Sequence, residues 1–454
     1  MNFKLSFYTV CTDSISDNID GTRLLYSTRT GVYLTINGLL WNQLNNGELD
    51  KIDLSTIDEL LKHEMIVPEH QNEFEEIFNL NKLKVKENLG GYLSFTIQPT
   101  ANCQLGCGYC GQVHQKHNTA SDVQQKIIDR IKQKVLLIPD AKGVEITWYG
   151  GEPLLAYSQV KFLSNQIMDF CKEKKIRYNA HIITNGLSLK PEVFKELYFE
   201  HNVRYFQVTV DTTKEHHDKR RITKEGKSTY DIIMGNLKNI ISMPEYKLIK
   251  DKPISIRMNI DQTNFNSVVP FIDELVSMKL QDKVSIAFAP IVNWGDNTAG
   301  DTIGISKEEY ANLEIQWIYY AFQKGFIQND LIPKRSYTPC MVVDENSEVY
   351  DAYGNIYPCY EFSYTPKYEN DKYRIGNLKD SEDTFSQDVL TRNWYNSDVE
   401  SGKYPCRNCN FFPVCGGGCP KKWLNGEPGC PQFKFNMKDR LVLDYVIRKS
   451  TKLN

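Results

Sequence analysis

Ten of the twelve cysteines in this chain of 454 residues fall into two groups. The first is Cys103-x3-Cys107-x2-Cys110. Thiolates this close in sequence can cap three corners of a four-iron cubane, leaving the fourth iron open to a ligand. The competing chemistry is a structural zinc ion, which wants a fourth protein ligand. His114 or His117 is near enough in sequence to supply it. The second group holds Cys340, Cys359, Cys406, Cys409, Cys415, Cys419 and Cys430. A zinc ribbon could use its two closely spaced pairs, but Cys340, Cys359 and Cys430 would then have no task. Cys11 and Cys171 stand alone and read as small buried hydrophobes. A disulfide framework belongs to short secreted chains, so clustered cysteines here point to metal.

The first group lies in a loop that follows a β-forming run, Tyr92–Gln98. Val123, Ile127, Ile128, Ile131, Val135 and Ile138 then recur at helical spacing. Further strands are expected at Val144–Tyr149, Tyr178–Thr184, Val203–Val210, Ile254–Ile260 and Val284–Ala289, with helical patterns between them. Six βα units imply a parallel sheet curled into an incomplete barrel, whose reacting groups sit in loops after the strand C-termini. Polar and glycine motifs stand at or near those ends: Gly150-Gly151-Glu152-Pro153, Thr184-Asn185-Gly186 and, within the fifth strand, Arg257-Met258-Asn259. Paired glycines let backbone approach a ligand, and a carboxylate suits an ammonium group.

Three domains are expected: an α+β segment over 1–88, the barrel over 89–325 and a cysteine-rich region over 326–454. In the first, Leu24–Ser27 and Val32–Ile36 flank Thr28-Arg29-Thr30-Gly31 as a hairpin. Short helices follow at Leu39–Leu44 and Thr56–His63, and a longer polar one at Glu69–Glu87. After about residue 330 regular periodicity fades, as in a region folded around metal.

The net charge of −3 gives no reason to expect a nucleic-acid partner. No apolar run is long enough to span a bilayer. The first residues turn polar by Thr12-Asp13-Ser14, too early for a secretory signal, so a cytoplasmic protein is expected.

With its aromatic Tyr109, the Cys103–Cys110 loop resembles the signature of radical S-adenosylmethionine (radical SAM) enzymes, and the three motifs above follow in that family's order. The resemblance implies a [4Fe–4S] cluster on Cys103, Cys107 and Cys110 whose open iron chelates S-adenosylmethionine. Tyr109 would lie near the adenine. Gly150, Gly151, Glu152 and Pro153 would meet the methionyl amino group, Thr184 and Asn185 the ribose, and Arg257 and Asn259 the carboxylate and ribose. The seven later cysteines, with Gly354 between the first two, resemble the SPASM extension. That implies two auxiliary iron–sulfur clusters of the [4Fe–4S] kind. Cys406, Cys409, Cys415 and Cys430 would hold one. Cys340, Cys359 and Cys419 would hold the other, with its fourth position open, filled by a non-cysteine ligand, or kept for the substrate's sulfur.

By that resemblance the chain is an enzyme, a peptide maturase that draws hydrogen from a ribosomally made precursor peptide to form a thioether or carbon-centred cross-link. An electron donor such as flavodoxin or ferredoxin would serve it. Residues 20–65 faintly resemble a PqqD-like peptide-recognition module, with a structural cap on the barrel as the alternative. Two alternatives to the function stand beside the cross-link: an anaerobic sulfatase-maturase-like enzyme making formylglycine, and a metal-stapled binding protein without turnover. No catalytic residue is assigned beyond the cluster ligands. Asp211-Thr212 departs from the Asp-Gly that often ends the fourth strand in relatives, which puts the local turn in question. His216 and His217 read as structural or solvated rather than metal-binding.

Overall fold

The computed structural model describes residues 2–15, 21–87, 91–326, 331–386, 389 and 398–452. Near the N-terminus, β1 (Phe3–Leu5) is held apart from the next three strands, β2 (Thr9–Cys11), β3 (Arg23–Ser27) and β4 (Val32–Ile36), which form an antiparallel sheet in that order. The partner of β1 is β5 (Ile66–Pro68). Between β4 and β5 run helices Gly38–Asn45 and Leu54–Lys62. They start where the side chains of Asn37 and Asp53 accept from the N–H groups of Leu40 and Thr56, satisfying donors a helix start otherwise leaves unpaired. Leu25, Ile36, Leu44, Leu60 and Met65 fill the core of this unit.

Its outer faces do not merely cap the barrel. Val10, Leu24 and Tyr26 share an apolar cluster with Ile318 of the last barrel helix and with Leu331, Val414 and Leu441. The following helix, Glu73–Lys86, sets Phe74, Ile77 and Phe78 against Val343, Cys406 and Phe412. The N-terminal unit is thus packed largely onto the cysteine-rich region.

The six expected barrel strands all form: β6 (Tyr92–Ile97), β7 (Gly143–Trp148), β8 (Arg177–Thr184), β9 (Val203–Thr209), β10 (Ile254–Ile260) and β11 (Val284–Pro290). They pair in sequence order and all in parallel. One face of these strands is covered by amphipathic helices such as Ser121–Leu136, which buries Val123, Ile127, Ile128, Ile131 and Val135. Each such side chain contributes about 1.5–3 kcal/mol on burial.

The barrel stays open. Instead of closing on β11, β6 takes β12 (Glu348–Tyr350) as a parallel neighbour, and β13 (Asn355–Tyr357) and β14 (Gly376–Asn377) extend the sheet antiparallel. Periodicity gave no sign of these three strands, each three residues long or less. Buried Glu348 is fixed there by Arg130 at 2.8 Å and Lys134 at 3.1 Å, both from the first barrel helix. The barrel and the cysteine-rich region therefore share one sheet. The expected boundary at 88/89 lies outside the described residues. Among the described residues no helix is long and apolar enough to cross a membrane.

Candidate active site and cysteine centres

Cys103, Cys107 and Cys110 line one cavity of about 290 Å³ at the C-terminal end of the barrel strands. Tyr109, Gly150, Gly151, Glu152, Thr184, Asn185, Arg257 and Asn259 line it too, so eight of the nine residues expected to bind cofactor converge there. Pro153 does not reach it. It is buried and opens the short turn Pro153–Ala156.

The loop between β6 and the first barrel helix is held by the turn after β7. Gly151 N–H donates to Thr100 O at 3.4 Å and Glu152 N–H to Asn102 O at 2.8 Å. A Cβ on Gly151 would sit 2.2 Å from Asn102 O. Gly150, at φ +113°, occupies a conformation other residues avoid. The paired glycines thus serve first to bring two backbones together. Glu152, 1% exposed, accepts from the Leu154 N–H at 3.1 Å, the Thr184 hydroxyl at 2.7 Å and the Asn185 N–H at 2.7 Å. Its carboxylate ties the end of β7 to the end of β8, and three of its roughly four lone-pair sites are used.

Tyr109 is the centre of a second network. Its hydroxyl donates to Asp211 at 2.7 Å and accepts from Arg221 at 2.5 Å and Asn259 at 3.1 Å. The Arg220 guanidinium lies 5.0 Å from the ring centroid and pairs with buried Asp211 and Asp261 at 2.9 and 2.6 Å. Asp211 is committed to holding this network. Thr212 keeps the left-handed turn, at φ +66°, despite its β-branch. Its hydroxyl bonds to Asp211 O at 2.7 Å and pairs with the Ser267 hydroxyl at 2.6 Å.

His217 is fully buried, accepting from the Asp211 N–H at Nδ1 and meeting the Thr229 hydroxyl at Nε2. Burial pushes its pKa down to about 4. His216 pairs with Thr213 instead, so the two histidines do not converge on a shared site. Neither does His117, which stacks on Tyr353 at 4.3 Å. His114 does line the cavity.

Arg221 was not legible as a site residue. It is 6% exposed, lines the cavity, and among the described residues its Nε has no partner. The buried Nε2 of His114 is also unpartnered. Burial pushes the thiols of Cys103 and Cys110 up to about 12 and about 11, and raises Cys107 against the pull of Arg221. Buried thiols beside unused cationic and polar donors fit a metal-bound, partly anionic occupant, because metal binding displaces the thiol protons. Among the described residues, no three or more His, Cys, Asp or Glu side chains are gathered closely enough to hold a metal ion. Four ligands at the short Zn–S distance of about 2.3 Å crowd together, whereas a cubane keeps its thiolates apart on separate irons.

The resemblance implies a set of four and a set of three among the seven later cysteines. Cys406, Cys409, Cys415 and Cys430 surround one small pocket with Phe412, Trp423 and Lys434. Cys340 and Cys359 share an apolar cluster, and Cys419 is close enough to act on both electrostatically. Two residues past Cys359, Glu361 faces the main cavity beside Tyr360. Cys11 is half-buried and Cys171 fully buried, as expected of small hydrophobes.

Residues 97–243 match the Radical SAM superfamily, and the half-open parallel barrel with its three-cysteine loop agrees. The chain is an enzyme that carries a Radical SAM domain over those residues and a SPASM-like C-terminal region. It is 24% identical over 366 residues to a cysteine-type anaerobic sulfatase-maturating enzyme of Clostridium novyi, covering 75% of this chain and 90% of that one. A serine-type anaerobic sulfatase-maturating enzyme of Bacteroides thetaiotaomicron is 24% identical over 379 residues, covering 72% and 83%. The fold matches that of native anSMEcpe with bound AdoMet and Cp18Cys peptide, at a TM-score of 0.57 and 18% identity, over 79% of this chain and 99% of that one.

Proposed function

We propose that this protein oxidises a cysteine or serine side chain within a peptide or protein, a reading supported by its similarity to cysteine-type and serine-type anaerobic sulfatase-maturating enzymes. The observation that carries the reading is the single cavity in which three thiols meet two guanidinium-bearing residues and a wall built from the SPASM-like region. Cys103, Cys107 and Cys110 would hold a [4Fe–4S] cluster. When bound there, the cluster and S-adenosylmethionine supply a 5′-deoxyadenosyl radical able to take a hydrogen atom from a substrate carbon.

The chain's own residues supply position. Arg221 and Arg257 suit the cofactor's carboxylate, because a guanidinium presents paired donors to a planar anion. Glu152 keeps one acceptor site for an ammonium group, while Thr184 and Asn185 hold it in place. Thr184, Asn185 and Asn259 offer hydrogen bonds to ribose, and Tyr109, which lines the cavity, offers an aromatic surface. Tyr360 and Glu361 close the side of the cavity where a substrate side chain would enter. A one-electron donor of the flavodoxin or ferredoxin class would supply reducing electrons in the cytoplasm, and auxiliary [4Fe–4S] clusters on the seven later cysteines would accept or pass on the surplus electron.

A second reading, cross-linking of a ribosomal precursor peptide, is favoured by the N-terminal unit. Among the described residues β4 has no strand on its outer side, and an extended peptide can add to such an edge.

The test is anaerobic reconstitution with S-adenosylmethionine and a strong reductant, with a Cys103/Cys107/Cys110→Ala variant beside it. Peptides containing a cysteine or serine are offered, and 5′-deoxyadenosine and peptide products are quantified. A peptide aldehyde that reacts with hydrazide, absent with the variant, is the expected result. An intramolecular cross-link with no aldehyde would move the assignment to the second reading. Loaded clusters with no cofactor cleavage would remove both and leave a binding protein.

A further inference from the structure

We propose that Glu361 provides the fourth ligand of the three-cysteine auxiliary centre, with Lys421 as the residue that positions it. This rests on the reading that Cys340, Cys359 and Cys419 hold an iron–sulfur cluster.

Three thiolates leave one iron of a cubane without a protein ligand. Glu361 is the carboxylate nearest in sequence to any of these three thiols, and it lines the main cavity. It stands two residues after Cys359, and Lys421 stands two residues after Cys419. The Lys421 ammonium donates to Glu361 Oε2, so this ion pair ties together the two loops that carry those cysteines. Lys421 is 3% exposed, and a buried ammonium needs such a partner.

Among the described residues the pairing leaves Oε1 without a protein donor. A carboxylate with one oxygen hydrogen-bonded and the other available is how metal-bound carboxylates are commonly supported. The backbone is equally fixed: the Glu361 carbonyl accepts from the Trp294 indole and the Thr365 hydroxyl, both at 3.0 Å. Cys340 and Cys359 are packed in one apolar cluster, so the centre has a rigid floor. The hard carboxylate would close the position that a substrate thiol would otherwise take, and it also faces the main cavity.

The experiment uses the full chain carrying Cys103/Cys107/Cys110→Ala, so that only auxiliary clusters contribute signals. Glu361→Ala, Glu361→Cys and Lys421→Met are added singly. Each protein is reconstituted, its iron and sulfide counted, and the reduced clusters challenged with ¹³C-labelled cyanide under hyperfine spectroscopy. The parent is expected to show no cyanide coupling, Glu361→Ala to show it, and Glu361→Cys to lose it again while keeping full iron. Lys421→Met should give partial coupling, since the carboxylate stays but is no longer held.

Coupling in the parent as strong as in Glu361→Ala would overturn the assignment and leave an open iron. So would a loaded Glu361→Ala protein that shows none. If Glu361→Ala does not retain its iron, Mössbauer spectra of the parent decide: one iron distinct from its sulfur-ligated neighbours supports the carboxylate, and uniform sulfur-ligated irons refute it. A parent that loads only the cluster of Cys406, Cys409, Cys415 and Cys430 would overturn the three-cysteine cluster itself, an outcome seen in the iron count before any cyanide is added.

Discussion

Replacing Tyr109 by Phe removes one oxygen and leaves the ring. That oxygen is shared by two charged partners, Asp211 at 2.7 Å and Arg221 at 2.5 Å, and by Asn259 at 3.1 Å. Asp211 keeps Arg220 at 2.9 Å, so it is only partly stripped. Arg221, whose Nε is already unpartnered, is left with a second buried N–H short of an acceptor. A hydrogen bond to a charged group is worth about 1.5–3 kcal/mol, and stranding a buried donor costs about 1–3 kcal/mol. Removing the hydroxyl's own desolvation offsets part of this, so Tyr109→Phe should lose about 2–4 kcal/mol of stability. Because Tyr109 lies between Cys107 and Cys110, the loop that carries both should loosen as well. The assay is urea unfolding under anaerobic conditions, with iron content read on the same samples. Tyr319→Phe, at an exposed tyrosine, serves as the control. A Tyr109→Phe protein within about 0.5 kcal/mol of the parent, the range of ordinary surface changes, would refute the network as the support of the cysteine loop.

Three further outcomes follow from the same geometry. Gly151→Ala should drive the turn away from Asn102 O, cost about 1–3 kcal/mol as overpacking does, and reduce iron at the first centre while the seven-cysteine region keeps its own; iron analysis with and without the Cys103/Cys107/Cys110→Ala background checks it. His217 is held neutral with a pKa of about 4, below the ordinary 6.5, so the unfolded chain takes up the proton first and stability falls as pH drops through that window. The loss should be about 2 kcal/mol between about pH 7 and about pH 5, measured as the difference in urea midpoints between the parent and His217→Gln, which should lack it. Thr212→Val keeps the unfavourable left-handed β-branch and loses the hydroxyl, so it should be less stable than Thr212→Gly, which relieves about 1–2 kcal/mol of backbone strain; equal thermal midpoints would contradict the strained turn.

Much of the site was legible because its chemistry is written in local order. Cys103-x3-Cys107-x2-Cys110 places three thiols in one loop whatever surrounds it, and alternation in β6 to β11 sets which loops share a barrel end. Period-two and period-3.6 patterns are short-range consequences of backbone geometry, so all six strands were found. The division of seven cysteines into a set of four and a set of three came only from the resemblance to the SPASM extension, because the two sets interleave along the chain.

Other features depend on contacts between distant residues. Arg221 looks like any basic residue after a helix until its burial and its missing partner place it on the cavity wall. Gly150 and Gly151 read as ligand-facing, but their first duty is the close approach to Gln98 and Thr100 and to Asn102 respectively, which only packing specifies. The strands β12 to β14 are too short to show a period, and they form because β6 offers an open edge. Glu361 and Lys421 are sixty residues apart and acquire meaning only as a pair. The sequence by itself determined the donor atoms and the barrel that presents them. The tertiary structure decided which charges are buried beside those donors, since burial and charge pairing are properties of the packed chain and not of any segment of it.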